Sequence, residues 1–195
     1  GPVTGGAVRY RIYSALGLTG YDIAGIAIFG SVAFGLGASI LGFGALTVHP
    51  WALQSVTALP PQIMRTIGIA SLVIAAAVLI GLGLRRSEFR IRGHRFNAPS
   101  LGLMSGQLLF TAIDICMAAS VLYLVLPPSD LGFATFLAVF CAAMFAGVAS
   151  HVPGGVGVFE TVIIAALPAS VPLDQAAAGL LLYRMIYYLV PFALA

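Results

Sequence analysis

His151-Val-Pro-Gly-Gly-Val-Gly-Val-Phe-Glu160 sets a proline, three glycines and a carboxylate in the middle of a strongly apolar chain. A continuous spanning helix accommodates none of these comfortably: proline removes an amide donor, and glycine frees the backbone. In lipid every unpaired amide and carbonyl needs a partner, so an interruption at membrane depth must pack in protein or line a wet space. The stretch therefore predicts a broken or re-entrant helix over 151–171, with a cavity beside it. Thr161 to Leu167 is too short to cross the hydrocarbon, and Pro168 and Pro172 end it.

Working outward, composition supplies the membrane. Hydrophobic residues are 61% of 195 positions, charged residues 8%, and mean hydropathy is +1.07, beyond what a solvated globular surface allows. No Lys, Arg, Asp or Glu occurs between Asp22 and Arg65, and only Asp114 between Arg95 and Asp130. Runs of that kind hold helices of about 20 residues. The expected fold class is all-α, a polytopic transmembrane helix bundle.

Thr4 to Leu18 reads as an interfacial segment, with Arg9, Tyr10, Arg11 and Tyr13 among apolar residues. Spans are expected at Ile23 to about Leu46, Thr66 to Leu84, Ser100 to Leu126 and Phe133 to Ser150. A last one starts near Asp174, expected to cap it, and runs through Arg184. That makes about five spans in residues 1–195. His49 to Gln62 is a surface connection with Trp51 at headgroup level. Arg85 to Arg95 holds five of the nine basic residues and marks a cytoplasmic loop. With spans on either side, this cluster is a topology signal rather than a nucleic-acid site. Cys116 and Cys141 lie in apolar runs and read as core thiols.

Few residues are available for chemistry. Asp114 is the fifteenth position of a 27-residue run, and Arg184 lies ten residues into its span. A mid-membrane charge costs about 2.5 to 3.5 kcal/mol even on lenient scales, so each needs water or a partner. They either neutralise one another, or Arg184 offers its donor fork to a phosphate while Asp114 orients it. Glu160 suits a helix N-terminus, as a cap or beside a ligand. Gly154, Gly155 and Gly157 expose amides that a headgroup anion can approach. Arg9 and Arg11 splay apart on a helix but bracket a headgroup in an interfacial segment. His151 reads as an interfacial polar residue. The chain contains no lysine, nucleophile elbow, P-loop, His-Glu-x-x-His or metal-ligand spacing. An ATP-driven pump and a metalloenzyme are thus disfavoured, and no catalytic residue, metal ligand or cofactor is assigned.

Gly5-Gly-Ala-Val-Arg-Tyr-Arg-Ile-Tyr13, the long hydrophobic middle and Ser150-His-Val-Pro-Gly-Gly-Val-Gly-Val-Phe-Glu160 resemble the membrane region of bacterial lysylphosphatidylglycerol synthases, the multiple peptide resistance factor family. The resemblance implies a flippase region in the bacterial inner membrane. In such proteins it is joined to a cytosolic synthase domain that transfers an aminoacyl group from tRNA to phosphatidylglycerol, giving resistance to cationic peptides. This segment is then expected to be the non-catalytic part, without the synthase domain and without the first spans. Its expected partners are anionic phospholipid, the lysyl or alanyl form of that lipid, and the synthase domain of the same polypeptide. Homo-oligomerisation is left open. The headgroup contacts expected from both charge signs beside a broken helix are Arg9, Arg11, Asp114, Gly154, Gly155, Glu160 and Arg184. The competing readings are an anchor that feeds lipid to the synthase without flipping it, and a small-solute transporter.

Overall fold

A computed structural model describes residues 10–84, 88–91, 94–97 and 101–189. The order is a short helix α1 (described over 10–15), α2 (Gly20–Val48), α3 (Pro61–Leu84), strands β1 (Glu88–Ile91) and β2 (His94–Asn97), α4 (Leu101–Val125) and α5 (Phe133–Ala149). A 3₁₀ turn (Pro153–Gly155), α6 (Val158–Ala166), α7 (Leu173–Arg184) and a π-turn (Met185–Leu189) complete it. The helix bundle expected from the sequence is present. α2, α3 and α4 are long and apolar enough to cross a membrane, α2 with 29 residues rising about 43 Å.

Local chemistry sets the ends. Thr19 caps α2 by accepting the Asp22 amide at 3.3 Å, while the Asp22 carboxylate accepts the Thr19 amide at 3.0 Å. Pro61 opens α3, where its missing amide costs nothing. Asp174 does not cap α7 as expected: Pro172 holds the cap position without a side-chain bond, and Asp174 only places a negative charge in the first turn. Trp51 is exposed and meets the His49 ring edge-on at 5.7 Å.

Small residues let the helices meet. Gly68 of α3 faces the Phe43 carbonyl of α2, Gly37 of α2 faces Thr111 of α4, Gly42 of α2 faces Cys141 of α5, and Gly179 of α7 faces the Val125 carbonyl at the end of α4. Without a hydrophobic drive between helices in lipid, such close approach supplies the packing. The core lies between α4, α5, α6 and α7, around the fully buried Phe136, Phe140, Ile115, Leu122 and Ile163. Cys141 is buried among them, while Cys116 is half-buried.

One addition departs from the sequence reading. Part of the arginine-rich loop forms an antiparallel hairpin that pairs Glu88 with Asn97 and Ile91 with His94.

Candidate functional site

The chain turns back at the end of α5. The Ser150 hydroxyl donates to the Gly147 carbonyl at 2.7 Å and accepts the Val152 amide at 3.3 Å. His151, Gly154, Gly155 and Gly157 then have φ of 56°, 68°, 61° and 84°. Three of these four left-handed positions are glycine, the residue that enters that region without penalty. His151 bears the strain of a side chain there. Gly155 is pressed on Gly147, where an added Cβ would lie 3.0 Å from the Gly147 Cα. The reversal lays α6 back along α5.

α6 starts at Val158, three residues before the expected start. Glu160, in its first turn, reaches back so that Oε2 accepts the Gly157 amide at 2.7 Å. The Thr161 hydroxyl donates to the Gly157 carbonyl at 2.6 Å. The other carboxylate oxygen of Glu160 accepts from Nε of Arg184, the last residue of α7. Nη1 of Arg184 donates to the Gly154 carbonyl at 3.3 Å. One guanidinium thus ties the glycine segment, α6 and α7 together. Both side chains of the pair are 21% exposed, so a polar ligand can reach them.

Below the pair lies an aromatic stack. Phe159 and Tyr183, each one residue before a member of the pair, lie nearly parallel at 6.1 Å. Tyr187 stacks on Tyr183 at 5.4 Å, as their spacing of four residues suggests. The Phe140 ring meets both Phe159 and Tyr183 edge-on.

The depth follows from helix lengths. α4 has 25 residues and α5, antiparallel to it after a short connection, has 17. At the helical rise these are about 37 and 25 Å. The break therefore stops well short of the end of α4 that joins the hairpin. It is recessed on that side, within the depth of the bundle.

The structure brings together Gly154, Gly155, Glu160 and Arg184. Asp114 is not with them: its side chain is exposed on α4 and makes no hydrogen bond or ion pair among the described residues. Glu160 rather than Asp114 compensates Arg184, because α7 runs beside α6 with Arg184 turned to its N-terminus. Arg11 is exposed and has no ion pair among the described residues, and Arg9 lies outside them. A space of about 280 Å³ lies at the far end of α6, lined by Tyr123, Leu126, Pro127, Leu131, Phe136 and Leu167, whereas the glycine segment is open at the surface. Thr161 is a polar contact of the break that the sequence reading missed; its signal was a hydroxyl four residues after Gly157. Among the described residues no group of three His, Cys, Asp or Glu could hold a metal ion.

These features define a multi-pass membrane protein with an interrupted helical hairpin and an ion pair held at the interruption. The sequence matches the family described as lysylphosphatidylglycerol synthase TM region over residues 2–195, and the chain belongs to that family. It is 32% identical over 99% of its length to the uncharacterized protein slr0712 of Synechocystis, covering 60% of that protein. It is 30% identical over 99% of its length to the inner membrane protein YbhN of Escherichia coli, covering 61% of it. Against the phosphatidylglycerol lysyltransferase of Staphylococcus haemolyticus it is 37% identical over 45% of this chain and 11% of that protein. The chain thus spans about three-fifths of the relatives that it matches throughout. Its place is the bacterial inner membrane.

Proposed function

We propose that this chain is part of a lipid translocator that carries aminoacylated phosphatidylglycerol, lysyl or alanyl, across the inner membrane. In this reading it lowers the negative charge of the outer leaflet and so protects against cationic peptides. The observation that carries the proposal is the Glu160–Arg184 pair on the recessed break. An aminoacylated phosphatidylglycerol headgroup bears an anionic phosphate diester and at least one ammonium. Arg184 exchanges Glu160 for the phosphate, and one oxygen of Glu160 turns to the ammonium while the other keeps the Gly157 amide. Neither protein charge is then left uncompensated, which is the condition for opening an ion pair in a poorly solvated place. Unmodified phosphatidylglycerol would occupy Arg184 and orphan Glu160, so the two-charge headgroup is preferred. The acyl tails remain in lipid beside the exposed break.

The relatives named phosphatidylglycerol lysyltransferase support the choice of lipid. The test is to express full-length protein carrying Arg184→Ala or Glu160→Gln with a lysylphosphatidylglycerol synthase activity and to measure total modified lipid and its outer-leaflet share separately. Normal synthesis with the product trapped in the inner leaflet is the expected result. Lost synthesis would instead make the bundle a feeder of lipid to the synthase, and wild-type exposure in both variants would remove the pair from transport.

A further inference from the structure

The exposed face of α4 carries a pattern that a lipid-facing helix does not need. Leu103, Gln107, Phe110, Asp114, Met117 and Leu124 follow at steps of 4, 3, 4, 3 and 7 residues, the alternation by which one helix seats against another. Leu103, Phe110, Met117 and Leu124 are 57%, 71%, 65% and 81% exposed, so no described residue covers the seam at Phe110, Met117 and Leu124. Two polar side chains lie in it, and neither Gln107 nor Asp114 makes a side-chain hydrogen bond among the described residues. Asp114 is thirteen residues past Leu101, about 20 Å along a helix of about 37 Å. That is the depth at which a carboxylate is most costly to leave in hydrocarbon.

A second copy of this chain is a poor occupant. Among the described residues the only cation well inside a helix of the bundle is Arg184, already bound to Glu160, so a second copy has no cation to offer Asp114. Arg9 and Arg11 precede α2, Arg65 lies in the first turns of α3, and the other five fall between α3 and α4. A parallel two-fold dimer on this seam would set Asp114 against its own counterpart. The relatives aligned over the whole chain extend well beyond it, with about two-fifths of their length outside the match.

We infer that the Leu103–Leu124 seam of α4 is the docking surface for a further membrane helix of the parent polypeptide, outside these 195 residues, and that this helix presents a hydrogen-bond donor, neutral or cationic, to Asp114. The inference does not depend on the transported lipid. Small or branched side chains on the partner fill the spaces between Phe110, Met117 and Leu124, and the donor fixes its register as a single polar residue does in a helix seam.

The test places a nitroxide at Met117→Cys in full-length protein, with Cys116 and Cys141 changed to Ala, in phosphatidylglycerol-containing vesicles. Collision with oxygen dissolved in the lipid is measured against a labelled single-helix peptide in the same vesicles. Expected is a several-fold lower collision rate than for the peptide, with no spin–spin broadening between copies. A rate equal to that of the peptide overturns the inference, because the seam then faces lipid. Broadening that disappears on dilution with unlabelled protein also overturns it, because the occupant is then a second copy. Leu124→Cys reads the same seam should Met117→Cys fail to insert.

Discussion

Arg184 at the end of α7 donates to the carboxylate of Glu160 in the first turn of α6, 24 positions earlier in the chain. The two residues have unequal duties. Glu160 serves both the guanidinium and the Gly157 amide, whereas Arg184 serves Glu160 and the Gly154 carbonyl. The pair is therefore not symmetric under exchange of its charges.

Reversing the pair, Glu160→Arg with Arg184→Glu, restores opposite charges but leaves the Gly157 amide without its acceptor and sets a cation at a helix N-terminus. This double variant is expected to unfold with about 1 to 2 kcal/mol less stability than the wild type. Arg184→Lys, which keeps the charge and loses the planar fork, should cost less. Thermal unfolding in lipid nanodiscs measures both, and a swapped protein of wild-type stability would contradict the capping role of Glu160.

At the reversal, Gly155→Ala and Gly147→Ala are chemically the same change with different consequences. The Cβ added at Gly155 falls 3.0 Å from the Gly147 Cα at φ of +61°, while that added at Gly147 stands 3.4 Å from the Gly155 Cα in ordinary contact. Gly155→Ala should therefore lose about 1 to 3 kcal/mol from strain and crowding, and Gly147→Ala much less. Equal melting temperatures for the two variants would mean that α6 does not lie on α5 as described.

The break itself was legible because Pro153 and the glycines at 154, 155 and 157 have no comfortable place in a lipid-spanning helix, and Glu160 sat where a helix start wants a carboxylate. The partner of Arg184 was not. Spacing gives the face of each helix but not which helix lies opposite, so the sequence sets Arg184 against Asp114, and only the fold of α5, α6 and α7 brings Glu160 to it. At the break, Ser150, Glu160, Thr161 and Arg184 meet the Val152 and Gly157 amides and the Gly157 and Gly154 carbonyls. The hairpin, by contrast, had a readable signal: Glu88-Phe89-Arg90-Ile91 alternates polar and apolar, and Arg92-Gly93 separates it from a second short run.

Within α3 the packing argument makes a second internal comparison. A Cβ at Gly68 would come within 2.9 Å of the Phe43 carbonyl, which is backbone and cannot rotate away, but at Gly81 it meets nothing within 4 Å. Gly68→Ala is expected to separate α2 from α3 and lower the melting temperature by several degrees. Gly81→Ala should be neutral or stabilise by up to about 1 kcal/mol through helix propensity. The pair is checked by unfolding each variant in the same detergent, and a damaging Gly81→Ala would show that a further element packs on this side of α3.

The last prediction concerns how the ion pair is held in register. Phe159 stands between the edge of Phe140, at 5.5 Å and 87°, and the face of Tyr183, at 6.1 Å and 16°. It is 9% exposed and adjacent in sequence to Glu160, as Tyr183 is to Arg184. Lipid tails are as apolar as any side chain, so what Phe159 contributes is packing and ring geometry rather than removal from water. Phe159→Ala empties the space between α6 and α7 and is expected to cost about 3 kcal/mol or more. Phe159→Leu refills most of the volume but loses the stacked and edge contacts, for a loss of about 0.5 to 1.5 kcal/mol. The leucine variant is the informative one. If the rings set the register of the two helices, it should lower outer-leaflet delivery of modified lipid by more than its small stability loss accounts for. If the ion pair alone sets the register, delivery should track stability, as it would for any mild core substitution.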